Sequence, residues 1–171
     1  MTDHLPCSEC GCTTPDLVTG ARIYPHLPRL HDKKIWLCPC GAYVGCHPGT
    51  EDPLGSTAGD ETRNARQYVH RLLDPIWKNA PREYGGKGKL EPHQIQSMAR
   101  RRTYRYLAAQ MGIEFEECHT AMFTIEQCRQ AYAILKRTTY KDVRAWSKKQ
   151  KPVQTRRPKR ATNGRARTSP S

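Results

Sequence analysis

Two short cysteine runs constrain this chain more than anything else in it. Cys7-Ser8-Glu9-Cys10-Gly11 stands near the start, and Cys38-Pro39-Cys40-Gly41 follows the apolar stretch Ile35-Trp36-Leu37. Thiolates paired on a tight turn deliver two ligands at once to a tetrahedral ion, and a glycine after each pair lets backbone N–H groups approach sulfur. The first pair has the usual spacer of two residues and the second a spacer of one. In an extended strand that shorter spacing puts both sulfurs on one face, so joint ligation is possible. The pattern predicts one closed structural zinc site held by Cys7, Cys10, Cys38 and Cys40, with Cys12, Cys46 and His47 as reserve ligands. Four thiolates leave no open position for water and no His-Glu-x-x-His run is present, which argues against a catalytic zinc.

The remaining cysteines fit a reducing compartment. Met1-Thr2-Asp3-His4 runs into the first pair with no apolar segment before it, and no apolar run is long enough to span a bilayer. The expectation is a cytoplasmic protein without a membrane partner, in which Cys-x-x-Cys reads as metal ligation and not as a disulfide.

The formal charge of +13 is unevenly placed. Residues 136–171 carry 13 Lys and Arg against the single acid Asp142, whereas the preceding 135 residues carry 16 basic and 15 acidic side chains. A neutral body with a basic extension is the electrostatic footprint of a polyanion ligand, most often nucleic acid. From Lys148 onward Val153 is the one sizeable aliphatic residue, so this stretch cannot offset chain entropy by burial and is expected to be disordered.

Between knuckles and tail, periodicity sets the expected elements. Ala21–Tyr24 and Lys34–Leu37 read as short strands separated by a Pro- and His-containing loop, and residues 50–59 as loop. Ala65, Tyr68/Val69, Leu72/Leu73 and Ile76 recur at helical spacing, with Asp60 or Thr62 as cap and Pro75 as a bend or stop. Residues 78–89, with Gly85, Gly86 and Gly88, read as a mobile connector. Pro92 opens a further helix that Gly112 ends. Thr124-x-x-Gln127 is a capping box for a last one, predicted to continue through Val143 and Trp146. The fold class is therefore α+β: a small zinc ribbon over residues 1–50 packed on a few helices over 51–146, then a disordered basic tail over 147–171.

Two further groups carry chemistry. Arg100, Arg101, Arg102 and Arg105, interleaved with Tyr104 and Tyr106, suit a phosphate backbone with aromatic stacking nearby, and the tail residues Lys148, Lys149, Lys151, Arg156, Arg157, Lys159 and Arg160 extend that surface. His70, Asp74, Cys118, His119 and Cys128 are candidates for a second metal site. The simpler reading makes the cysteines small core hydrophobes and His70–Asp74 a helix anchor.

The run Cys40-Gly-Ala-Tyr-Val-Gly-Cys-His-Pro-Gly-Thr50, then Pro53-Leu-Gly-Ser-Thr-Ala58, Ala65-Arg66, His70 and Asp74-Pro-Ile-Trp77, resembles a family of small zinc-finger-containing proteins of tailed phages and prophages. Arg102-x-Tyr104-x-Tyr106-Leu107, Met111-Gly112-Ile113 and Glu117-Cys118-His119 extend the likeness, which spans residues 5–135 and leaves out the basic tail. The resemblance implies zinc, a phage or prophage origin and the cytoplasm of a bacterial host, and it implies no reaction. Together with the charge pattern it favours a non-catalytic nucleic-acid-binding protein, with DNA as the first expectation. The alternatives are an accessory protein that binds a host protein of the transcription or defence machinery, and a DNA-processing nuclease using His47, His70, Asp74 or His119.

Overall fold

The computed structural model describes residues 6–84 and 90–150. The tail residues Lys151, Arg156, Arg157, Lys159 and Arg160, and the glycines of the expected connector, lie outside the described residues. The architecture is α+β. Three short strands, β1 (Asp16–Thr19), β2 (Lys34–Leu37) and β3 (Tyr43–Gly45), form an antiparallel sheet in sequence order, with Val18 opposite Ile35 and Trp36 opposite Val44.

The first strand lies earlier than expected. Residues 21–23 belong to a single helical turn, α1 (Gly20–Ile23), and Leu17-Val18 take the place across from β2. Gly20 decides this: a Cβ there would lie 1.8 Å from the Leu30 carbonyl oxygen. That close approach, with the Gly20 N–H donating to Lys33 O at 2.7 Å, turns the chain sharply where strand pairing ends. β3 lies outside the two expected strands. Along it runs the segment 53–58, bridged at Cys46–Pro53 and Tyr43–Ala58 and bent between them, so this loop is a largely buried part of the sheet side.

The helices follow: α2 (Asp60–Lys78), α3 (Ala80–Tyr84), α4 (Pro92–Met111), α5 (Ile125–Leu135) and α6 (Tyr140–Lys149). In α2 the buried positions Thr62, Arg66, Val69, Leu73 and Ile76 recur every three or four residues, and Val69, Leu73 and Ile76 enter the core shared with α4 and α5. Neither Asp60 nor Thr62 is the cap; both lie in the first turn, and Gly59 stands at the N-cap. Pro75 lies inside α2 without ending it. Its missing N–H removes one bond in the last turn, and Asn79 N–H still donates to Pro75 O at 3.2 Å. The first half of the expected connector is helical, as α3.

The helical core joins Leu73, Leu107, Phe123, Cys128, Ala131 and Val143, each essentially inaccessible. Burying each of the larger side chains contributes about 1.5–3 kcal/mol. Pro92 opens α4, and Gly112, at φ 70°, closes it. The Thr124–Gln127 box caps α5 with both reciprocal bonds. The expected continuation through Val143 and Trp146 is interrupted, because Thr139 starts a new helix with its own box to Asp142. The angle this allows packs Trp146 edge-on against Tyr106, with ring centroids 5.6 Å apart.

Candidate metal centre

Each cysteine pair sits on a turn closed by the same two backbone bonds. In the first, Cys7 N–H donates to Cys12 O at 2.9 Å and Gly11 N–H to Cys7 O at 2.9 Å. In the second, Cys38 N–H donates to Ala42 O at 2.8 Å and Gly41 N–H to Cys38 O at 2.9 Å. The second loop is one residue shorter and keeps both bonds. Cys38 and Cys40 are thus brought together by a turn just beyond β2 and not by an extended strand. Gly11 and Gly41 carry φ of 74° and 90°, the left-handed backbone that the turn requires and that a side chain would strain.

The turns interlock so that the sulfurs of Cys7, Cys10, Cys38 and Cys40 all lie within 4.8 Å of one another. The short separations cross between turns: Cys7 Sγ to Cys40 Sγ is 3.7 Å and Cys10 Sγ to Cys38 Sγ is 3.5 Å. Zinc–sulfur bonds of about 2.3 Å place four thiolates on a tetrahedron with edges of about 3.8 Å, so the cluster fits a zinc ion with little movement. Cys7 and Cys38 are buried, whereas Cys10 and Cys40 reach the surface. Burial raises the Cys7 thiol, but hydrogen bonds from the Thr57 side chain and the backbone of Glu9 and Cys10 bring it down to about 6. Burial pushes the Cys38 thiol up. Four cysteine sulfurs in such an arrangement are a donor set that zinc accepts in closed structural sites.

The reserve candidates stand outside this group. Cys12 packs against it but has its sulfur 3.5 Å from the Thr14 hydroxyl and N–H. Cys46 lies just past β3 opposite Pro53, where burial raises its thiol, and His47 belongs to the following turn.

A buried polar network, which the sequence did not announce, fixes the first turn to the helices. Arg66 donates from Nε to Phe123 O at 2.9 Å, from one terminal nitrogen to Ser56 O at 2.9 Å, and from the other to Ser8 Oγ at 2.7 Å and Ser56 Oγ at 2.8 Å. Glu9 accepts the Gly59 N–H at 2.9 Å, so a residue between two of the clustered cysteines caps α2. That bond, the Thr62 hydroxyl and Arg66 hold the Glu9 carboxyl below its usual range. Gly55 permits the close pass, since a Cβ would lie 2.3 Å from Ala121 O. The available signal was an arginine on the apolar stripe of α2 and small polar residues after the second knuckle.

A model of the zinc-finger-containing domain family matches residues 3–138, taking in both turns, the sheet and α2 to α5. The chain belongs to this zinc-finger-containing domain family. The cysteine cluster and the family agree on zinc binding. No curated protein and no solved structure matches the chain.

The other candidates of this zinc-finger-containing domain have separate places. His70 Nε2 lies 2.7 Å from Thr120 Oγ1, and its Nδ1 is 3.8 Å from Asp74, which also accepts from Lys78 at 2.7 Å. This row resembles a nucleophile–base–acid chain, but Thr120 is only 3% exposed and out of reach of a substrate. Cys118 and Cys128 lie in the helical core, where burial raises both thiols, Cys118 to about 11. Among the described residues these groups form no second metal-holding cluster.

On α4, Arg100, Arg101 and Arg105 are exposed. Arg102 turns inward and donates to the Tyr140 hydroxyl at 2.8 Å, tying α4 to α6. Lys148 and Lys149 occupy the last turn of α6 and so belong to the folded body, not to the tail. No helix among the described residues is long and apolar enough to cross a membrane.

Proposed function

We propose that this zinc-finger-containing protein binds nucleic acid without catalysis, DNA being the first expectation, as a phage- or prophage-encoded protein acting in its host's cytoplasm. Zinc held by Cys7, Cys10, Cys38 and Cys40 fixes the ribbon, and the helices present the binding surface. The observation that carries this reading is the exposed trio Arg100, Arg101 and Arg105 on α4, with Tyr104 and Phe115 beside it. The concentration of positive charge beyond residue 136 supports it independently. Arginine neutralises phosphates, releasing counterions, and such contacts position a strand without reading its sequence.

The test is a salt titration of binding to duplex DNA, single-stranded DNA and RNA, with zinc content measured on the same sample. About one zinc per chain is expected, with affinity falling steeply and log-linearly with salt. Absence of binding to all three at low salt overturns the reading. Removing residues 151–171 should flatten the salt slope if the tail contributes, whereas a protein-docking role would leave partner affinity intact.

A further inference from the structure

Beside the exposed arginines lies a recess of about 390 Å³ between the outer face of α4 and the segment that follows it. Arg100, Arg101 and Tyr104 line one side, and Phe115, Glu116 and His119 the other. Its size is that of a small-ligand pocket. Its composition is unusual for a merely solvated helix face. Phe115 is half-buried and stands outside the buried helical cluster, on the turn that packs against α4. Each ring has a guanidinium over it: Arg100 is 5.4 Å from the centroid of Tyr104, and Arg105 is 5.4 Å from that of Phe115. Arg100 and Arg101 bring two positive charges to the recess and Glu116 one negative, with Arg105 a further positive charge at the Phe115 ring, so the surroundings favour an anionic ligand.

We infer that this recess holds a single unstacked nucleotide of a single-stranded nucleic acid, its base against Tyr104 and Phe115 and its phosphate on Arg100 and Arg101. The inference rests on the nucleic-acid reading and adds to it a preference for single strands. A duplex offers its phosphates to exposed arginines but keeps base faces inside its own stack, so it leaves the aromatic walls unused. A free base stacks on any aromatic ring irrespective of its identity, and a guanidinium on that ring adds to the attraction. Glu116 faces the ligand with an acceptor for base amino or sugar hydroxyl groups and repels a second phosphate. Strands should therefore enter one nucleotide at a time.

The experiment compares binding of a 20-residue oligothymidylate, an abasic strand with the same number of phosphates, a duplex of equal length and thymidine monophosphate. The proteins are the full zinc-loaded chain and its Phe115→Ala, Phe115→Trp and Arg101→Gln variants, with helix content and zinc measured for each. Phe115→Ala should weaken oligothymidylate binding about tenfold while changing duplex binding less than about twofold, and Phe115→Trp should restore it. Arg101→Gln should reduce the salt slope by about one. The abasic strand should bind the unaltered protein no better than Phe115→Ala binds oligothymidylate. If strands and duplex bind but Phe115→Ala changes neither, the recess is not the site and the general nucleic-acid reading survives alone. If only the mononucleotide binds, and loses affinity in Phe115→Ala, the strand is excluded and a free nucleotide is the occupant. If none of the four binds, both readings fall.

Discussion

Arg66 occupies a position on α2 where periodicity calls for an aliphatic side chain, and it is only 7% exposed. Burial lowers its pKa, and the acceptors it donates to are two carbonyls and two hydroxyls, with the Glu9 carboxylate acting on it electrostatically. Its planar fork reaches the cysteine turn, the 53–58 segment and the chain before α5 at once, which a lysine ammonium cannot do. Arg66→Ala should destabilise the zinc-loaded protein by about 3 kcal/mol, because it strands buried acceptors in three segments. Arg66→Lys should recover less than half of that. Urea unfolding at fixed zinc measures both, and a loss below about 1 kcal/mol for the alanine variant would show the network to be incidental. Sequence alone displayed Arg66 and the Ser-Thr-Ala run as parts of a familiar pattern without a reason for either. The reason is a set of bonds between residues 10 to 58 positions apart, which no local rule contains.

At the scale of elements, local chemistry succeeded where it was self-contained. Pro92, Gly112 and the Thr124–Gln127 box bound α4 and α5 as their types require. It failed where a second box competed with continuing periodicity. Thr138 turns its hydroxyl back to Ile134 O at 2.8 Å, Thr139 accepts the Asp142 N–H, and α6 starts there. Thr139→Ala should cost about 1 kcal/mol, read from thermal or urea unfolding. Hydrogen bonds from the Thr139 hydroxyl and N–H lower the Asp142 carboxyl below its ordinary value. A depressed carboxyl contributes stability above its unfolded pKa and loses it as pH falls through the folded value. The Asp142 contribution is therefore full at neutral pH, begins to decline as pH falls into the ordinary carboxyl range of about 4, and is gone only below the lower folded value. Asp142→Asn should remove that part of the acid-side decline, visible as a smaller difference between unfolding midpoints at pH 7 and pH 3.5.

The whole molecule divides its stability between a metal and a core. Among the described residues the helical cluster holds fifteen buried apolar residues, whereas the cluster at the cysteines holds three, two of them Cys7 and Cys38, with Ile35 and Ala58 buried on the sheet side outside both. So small a core does not hold a three-stranded sheet by burial, and metal binding supplies the folding free energy instead. Stripping zinc with a strong chelator should therefore melt β1 to β3 while α2 to α6 persist. Far-UV circular dichroism should keep most of its helical signal, and amide protection should vanish for residues 16–45. Cooperative loss of the helices with the metal would show that the Arg66 and Glu9 links make one unit of both parts.

The sequence by itself determined the cysteine pairs, the α+β class and most helix positions, because each depends on spacing within a few residues, and it displayed the separation of charge directly. Composition could not say which strand pairs with β2, since Gly20 matters only through its approach to Leu30. Nor could it say which arginine of the α4 run turns inward: Arg102 donates to Tyr140, 38 residues away, while Arg100 and Arg101 line a recess with Phe115. Tertiary structure decided these points because each requires two distant segments to be brought within bonding distance, and only the packed helices and the interlocked turns do so.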